Sequence, residues 1–188
     1  MLQARLYSLW HMTESQASFD VEAFAALHPA MDPGIVMFAR AALIHHGGSP
    51  RSFSALRDGT ACPASFSFAA PDGRTEKTYE REKIIELGAI VLAGLLLHVW
   101  KGKQLTRVCK RGSRVDYFVG ENPGDVRWVL EVGGTDNGNH QAKRTEKRKQ
   151  LEDSPYRRAP FQKDGFVGAT RFTEPSITSL DTLAAGTP

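Results

Sequence analysis

Arg114-Val-Asp-Tyr-Phe-Val-Gly120, Glu121-Asn-Pro-Gly-Asp125 and Arg127-Trp-Val-Leu-Glu-Val-Gly-Gly-Thr135 decide how the chain is read. Val115, Tyr117 and Val119 alternate with Asp116 and Phe118, and Trp128 to Val132 is an apolar run broken only by Glu131. Between them stand turn formers around a Pro-Gly pair. Two β-rich runs about such a turn predict an antiparallel hairpin. Asp116 then lies near the start of one strand and Glu131 near the end of the other, side by side at one sheet end. Paired carboxylates among apolar residues are costly without compensation, and a hard divalent cation is a natural compensator. The alternative is that Glu131 faces solvent on an edge strand. Both readings stay open on these residues alone.

Outward from the hairpin, Gly133 to Gly138 reads as a flexible loop that lets backbone approach a ligand. Asn139 to Glu152 reads as a very polar helix. Lys143, Lys147 and Gln150 share one face of it, and Arg144, Arg148 and Leu151 the next. Most charge runs are solvated faces. Here five Lys or Arg stand against one Glu between Lys143 and Gln150, and Arg157 and Arg158 follow. A patch of one sign attracts phosphates. Gly165 to Phe172 is a further strand, and 174–188 reads as a flexible tail.

Upstream, Gln104 to Cys109 predicts a strand and Thr78 to Trp100 a long helix that is apolar nearly all round, hence buried. Within it Glu86, flanked by Ile85 and Leu87, calls for a partner or a metal. The apolar stretch is slightly short for a membrane span and carries a charge, so no membrane partner is expected. Asp32 and Pro33 are placed to start a helix that runs to Gly47-Gly48. His45 and His46 fall in its last turn, where the helix dipole favours them. Val21 to Leu27 is helical in composition, 49–64 reads as a loop, and Ser65 to Phe68 as a short strand. The first 20 residues give no secondary structure and no signal peptide.

The chain has 188 residues, 41% hydrophobic and 24% charged, with net charge +3. That is room for one domain with an extension and excludes overall disorder. Cys62 and Cys109 lack metal-type spacing, which points to a reducing cytoplasm.

From Glu80 onward the order helix, three strands, helix, strand resembles the αβββαβ core of the PD-(D/E)xK, restriction-endonuclease-like nucleases. The likeness covers roughly Thr78 to Phe172. It implies an α/β (α+β) fold with a central mixed sheet flanked by helices. It divides the chain into a helical N-terminal extension at 1–75, a nuclease core at 76–173 and the tail. The resemblance implies Asp116 and Glu131 as the motif acids, Glu86 as the helical glutamate, and the Val132 carbonyl as a further ligand of Mg²⁺ or Mn²⁺. The motif lysine is Gly133 here. The superfamily includes variants whose lysine moves to the following helix, and Lys147 with Gln150 resembles that variant; Lys143 and Lys149 are alternatives. Lys143, Arg144, Arg148, Lys149, Arg157 and Arg158 would then hold nucleic acid, DNA before RNA.

The function so implied is metal-dependent hydrolysis of phosphodiester bonds, in a phage-defence or mobile-element setting. Residues 1–75 would be the surface for a homodimer or partner protein. Two other classes are a catalytically silent nucleic-acid-binding subunit and an interaction module whose basic helix meets an acidic protein.

Overall fold

A computed structural model describes residues 16–185. Its strands are β1 (Ala17–Asp20), β2 (Arg51–Arg57), β3 (Thr60–Ala61), β4 (Ala64–Ser67), β5 (Gln104–Val108), β6 (Tyr117–Gly120), β7 (Trp128–Thr135), β8 (Gly165–Arg171) and β9 (Ile177–Leu183). Its α-helices are α1 (Phe24–Leu27), α2 (Val36–Ile44), α3 (Thr75–Thr78), α4 (Arg81–Lys101) and α5 (His140–Glu152). The strands form one mixed sheet of nine, in the order β1-β4-β2-β9-β8-β7-β6-β5, with β3 on β2.

The predicted hairpin is present. β6 and β7 pair antiparallel with Tyr117 opposite Leu130 and Val119 opposite Trp128. The ladder continues one residue before β6: the Asp116 N–H donates to the Leu130 carbonyl at 2.9 Å, and its own carbonyl accepts from Cys109 N–H at 2.8 Å. That register sets Asp116 against Glu131 on one face of the sheet.

Period-two alternation then divides β7 between two helices. Leu130 and Val132 join the large core beneath α4, while Val129 packs with Leu151 of α5. The two glycines that follow obey the same alternation. A Cβ on Gly134 would meet the Ile85 carbonyl at 2.5 Å, and one on Gly133 would meet Lys147 Cε at 2.5 Å. The Gly133-Gly134 pair is therefore strand, not the flexible loop expected, and it lets α4 and α5 lie close on opposite faces.

The helix ends follow their capping residues. Asp32 accepts from Gly34 N–H at 2.8 Å ahead of Pro33. Asn139 caps α5 by accepting from Ala142 N–H at 2.9 Å. Gly102 ends α4 in the left-handed conformation, φ 63°. α4 is by length and composition apolar enough to cross a membrane, yet it packs on α2, β7 and β8 with most of its residues buried inside the protein.

Three expectations are corrected. The described part of the expected tail, 174–185, is not loose: Ile177–Leu183 is β9, inserted between β2 and β8, with Leu180 fully buried. The loop expected at 49–64 contains β2, whose Arg51, Phe53 and Ala55 point inward and whose Ser52 and Ser54 point outward. Consequently the part of 1–75 that is described, 16–75, is not a separate helical extension. It holds β1 to β4, and β2 pairs parallel with β9, Ser54 opposite Ile177, within the one sheet. The expectations for residues 1–15 lie outside the described residues.

Candidate active site

A cleft of about 570 Å³ opens at the β6–β7 end of the sheet. Asp116 and Glu131 form its floor, Lys147 and Gln150 overhang it from α5, and the segment from Val108 to Val115 forms its rim. Glu131 is 4% exposed, so the edge-strand reading, in which it points to solvent, does not hold. Its Oε1 accepts from the Lys147 ammonium at 2.7 Å. Asp116 is held by its neighbour across the hairpin, accepting from the Val132 N–H at 2.8 Å. Val132 thus touches Asp116 through its N–H.

The electrostatics of this floor are those of a crowded acid pair. Burial, reinforced by the charge of Asp116, pushes Glu131 up to about 8, and the nearby Lys147 ammonium offsets this only in part. Burial also raises Asp116, against the Val132 N–H and the Lys147 charge. Lys147 is itself raised: the hydrogen bond and charge of Glu131 outweigh burial, the largest single influence, which acts the other way. The two carboxyl groups compete for negative charge, and one ammonium does not balance both. Hard oxygen donors short of positive charge are the donor set that Mg²⁺ or Mn²⁺ takes. The side-chain oxygen of Gln150 is buried without a hydrogen-bond partner beside them.

Gly133 is what admits Lys147. Any side chain there would project into Lys147 Cε and Cδ, at 2.5 and 3.3 Å from its Cβ, and into Lys143 Cδ at 3.2 Å. The position that a strand lysine would fill is already filled from the helix. Lys143 overhangs the same glycine but gives its ammonium to Glu146 at 2.8 Å, and Lys149 is exposed.

Other expected site residues stand elsewhere. Glu86 is exposed and pairs with Lys83 at 3.0 Å. It lies on the solvent side of α4, between the buried Ile85 and the half-buried Leu87, so helix apolarity was no guide to its burial. Its charge still acts on Asp116. Arg144 is not free for a phosphate. It grips the buried Asp181 of β9 with two hydrogen bonds of 2.5 Å. Arg157 donates to the carbonyls of Lys163 and Leu183, at 2.7 and 3.0 Å, and of Ala184. These two arginines tie α5 and the turn after it to β9. Arg148 and Arg158 remain solvent-facing, paired with Glu152 at 3.3 Å and Asp153 at 3.9 Å.

The cleft's basic rim was missed. Lys110, Arg111 and Arg114 are exposed and line it. Their signal was three basic residues in the five from Lys110 to Arg114, just upstream of Asp116.

Among the described residues His45, His46 and Asp136 bring possible ligand atoms within 4.8 Å of one another. Arg81 already serves as the cation there. It donates to both Asp136 carboxylate oxygens, at 3.0 and 2.9 Å. His46, expected only to sit in a favourable helix dipole, bonds directly to Asp136 and so pins the end of α2 to the end of β7. Cys62 and Cys109 are both free thiols; burial pushes the Cys109 thiol up to about 12, far from a nucleophile.

No family model, curated protein or solved structure matches the chain.

Proposed function

We propose that the protein is a metal-dependent nuclease of the restriction-endonuclease-like type, hydrolysing phosphodiester bonds in DNA. One observation carries this reading: Lys147 enters above Gly133 to meet Glu131, beside Asp116, in an open cleft. The order α4-β5-β6-β7-α5-β8 agrees with it. So does the basic rim, which offers Lys110 and Arg111 to flanking phosphates.

Asp116 and Glu131 would hold Mg²⁺ or Mn²⁺, and the donor chemistry of the pair fits such an ion. A bound ion of this kind lowers the pKa of a coordinated water and neutralises charge on the scissile phosphate. The chain's own groups do the rest. The Val132 N–H fixes one Asp116 oxygen. The Lys147 ammonium, anchored on Glu131, is placed to orient the attacking water and to meet negative charge on the phosphoryl oxygens. The Gln150 oxygen, lacking a partner, is placed to accept a hydrogen bond from that water. A cytoplasmic setting suits the two free thiols.

A second reading is a nucleic-acid-binding subunit without catalysis, favoured by Glu86 standing outside the acid pair. Incubating the protein with plasmid and single-stranded DNA, in Mg²⁺, Mn²⁺ or EDTA, separates the two. The nuclease cuts only with metal, and Asp116→Ala and Glu131→Ala abolish cutting while circular dichroism is retained. Binding without cutting, under every metal, would leave the silent subunit.

A further inference from the structure

A second hollow, of about 420 Å³, adjoins the cleft and is lined by Arg114, Asp153, Pro155, Arg158, Ala159 and Phe161. Arg114 lines both, so the two form one continuous surface. Phe161 is 54% exposed, whereas most large apolar side chains of the described residues are buried. Its ring is nevertheless held in place. It meets Tyr156 at 5.4 Å and 66°, and Tyr156 meets Phe118 at 5.0 Å and 68°. The Phe161 N–H donates to the Arg158 carbonyl at 2.9 Å. An aromatic ring braced from behind and open in front is a preorganised platform.

Charge surrounds that platform. The side chains of Arg114 and Arg158 are 58% and 68% exposed. Asp153 lies between them, 3.1 Å from Arg114 and 3.9 Å from Arg158, and holds the two guanidiniums side by side. Two positive groups against one negative leave a net positive hollow. An aromatic face with guanidiniums beside it binds a nucleotide, the ring stacking on the base and the guanidiniums meeting its phosphates. A base inside a duplex has both faces covered by its neighbours and cannot use such a platform.

We propose that Phe161, Arg158 and Arg114 form a subsite for an unpaired nucleotide beside the acid cleft, so that the substrate carries a single-stranded segment. The proposal rests on the nuclease reading of the neighbouring cleft. It commits to nucleic acid because the hollow is continuous with that cleft and carries the charge that suits a phosphate chain.

The test is fluorescence anisotropy with a fluorescein-labelled 20-mer of thymidylate and a blunt 20-base-pair duplex, in EDTA and again in Ca²⁺. The full-length protein is compared with Phe161→Ala and Phe161→Trp. The expected result is tighter binding of the single strand by the wild type. Phe161→Ala should lower that preference about tenfold, within the range seen for loss of one stacked base, and Phe161→Trp should keep it. Two results overturn the subsite: no single-strand preference in the wild type, or equal losses on both DNAs in Phe161→Ala. Cleavage in Mg²⁺ is scored separately. A protein that cuts DNA but ignores Phe161 loses only the subsite. One that binds single strands through Phe161 and cuts nothing loses only the nuclease reading. If single strands go unbound and an acidic protein binds the hollow instead, the proposal also fails.

Discussion

Gly133→Ala is the substitution that most sharply tests why the lysine comes from the helix. The new Cβ would stand 2.5 Å from Lys147 Cε, while carbon atoms in contact rest at about 3.5–4.0 Å. The end of Lys147 must therefore retreat by about 1 Å. Its hydrogen bond to Glu131 is 2.7 Å long, so the retreat carries it past the range of a good bond. The obstructed atoms belong to a flexible side chain, and Glu131 can keep its proton once the ammonium leaves. The folding cost is then modest, about 1.5–3 kcal/mol, the worth of one charged hydrogen bond. For a chain of this size that lowers Tm by roughly 3–12 °C. The catalytic cost is larger, because a misplacement of about 1 Å at a reacting group costs on the order of 100-fold. Single-turnover cleavage in Mg²⁺ beside calorimetry measures both. A further variant, Gly133→Lys with Lys147→Ala, removes the obstructing carbons of Lys147, leaving only the end of the flexible Lys143 to shift, and returns an ammonium to the Glu131 face of the strand. It should exceed both Gly133→Ala and Lys147→Ala in rate. Wild-type cleavage by Gly133→Ala, or by Lys147→Ala, would refute the reasoning.

Arg144→Ala should destabilise the fold by about 3–5 kcal/mol in urea titration, because it strands the buried Asp181 without a partner. Arg148→Ala, which removes only a solvent-exposed pair, should cost less than about 0.5 kcal/mol; equal costs would contradict the structural role of Arg144. The pH dependence has a definite sign. Glu131 is raised from an ordinary 4.5 to about 8, so its contribution to the metal-free protein is whole below pH 4.5 and is lost as pH rises through about 8. Subtracting the Glu131→Gln stability curve isolates that loss. Metal binding runs the other way: Mg²⁺ affinity by calorimetry should climb with pH toward about 8, and a flat profile would exclude Glu131 as a ligand. Replacing both Lys110 and Arg111 by Ala should lower the slope of log affinity against log salt by about 1.5 for two phosphate contacts; an unchanged slope would take the rim away from the nucleic acid.

The half of the molecule from α4 to β8 was legible because its signals are local. The alternation of Val115 to Val119, the Pro-Gly turn and the polar run from Asn139 each act within a few residues. β9 was not legible for the opposite reason. Ile177-Thr-Ser-Leu-Asp-Thr-Leu183 is polar in composition, and its burial depends on partners brought from afar: Arg144 on Asp181, and a Ser179 hydroxyl beside His140 at 3.3 Å. Arg144 and Arg157 misled in the same way, since a sequence shows their charge but not the buried carboxylate and carbonyls that take it up. β2 was hidden by serines that happen to face outward. At the cleft, the acids were read as a pair across the hairpin, and Lys147 through the resemblance. The steric reason for Gly133, and the rim before Asp116, needed the packing of α5 on β7.

The most direct measurement is an anomalous difference map from crystals of the protein soaked in Mn²⁺. The account predicts a peak within bonding distance of carboxylate oxygens of both Asp116 and Glu131, with the Lys147 ammonium still directed at Glu131. A peak only at His45, His46 and Asp136, or no peak in the cleft at saturating Mn²⁺ above pH 8, would contradict it.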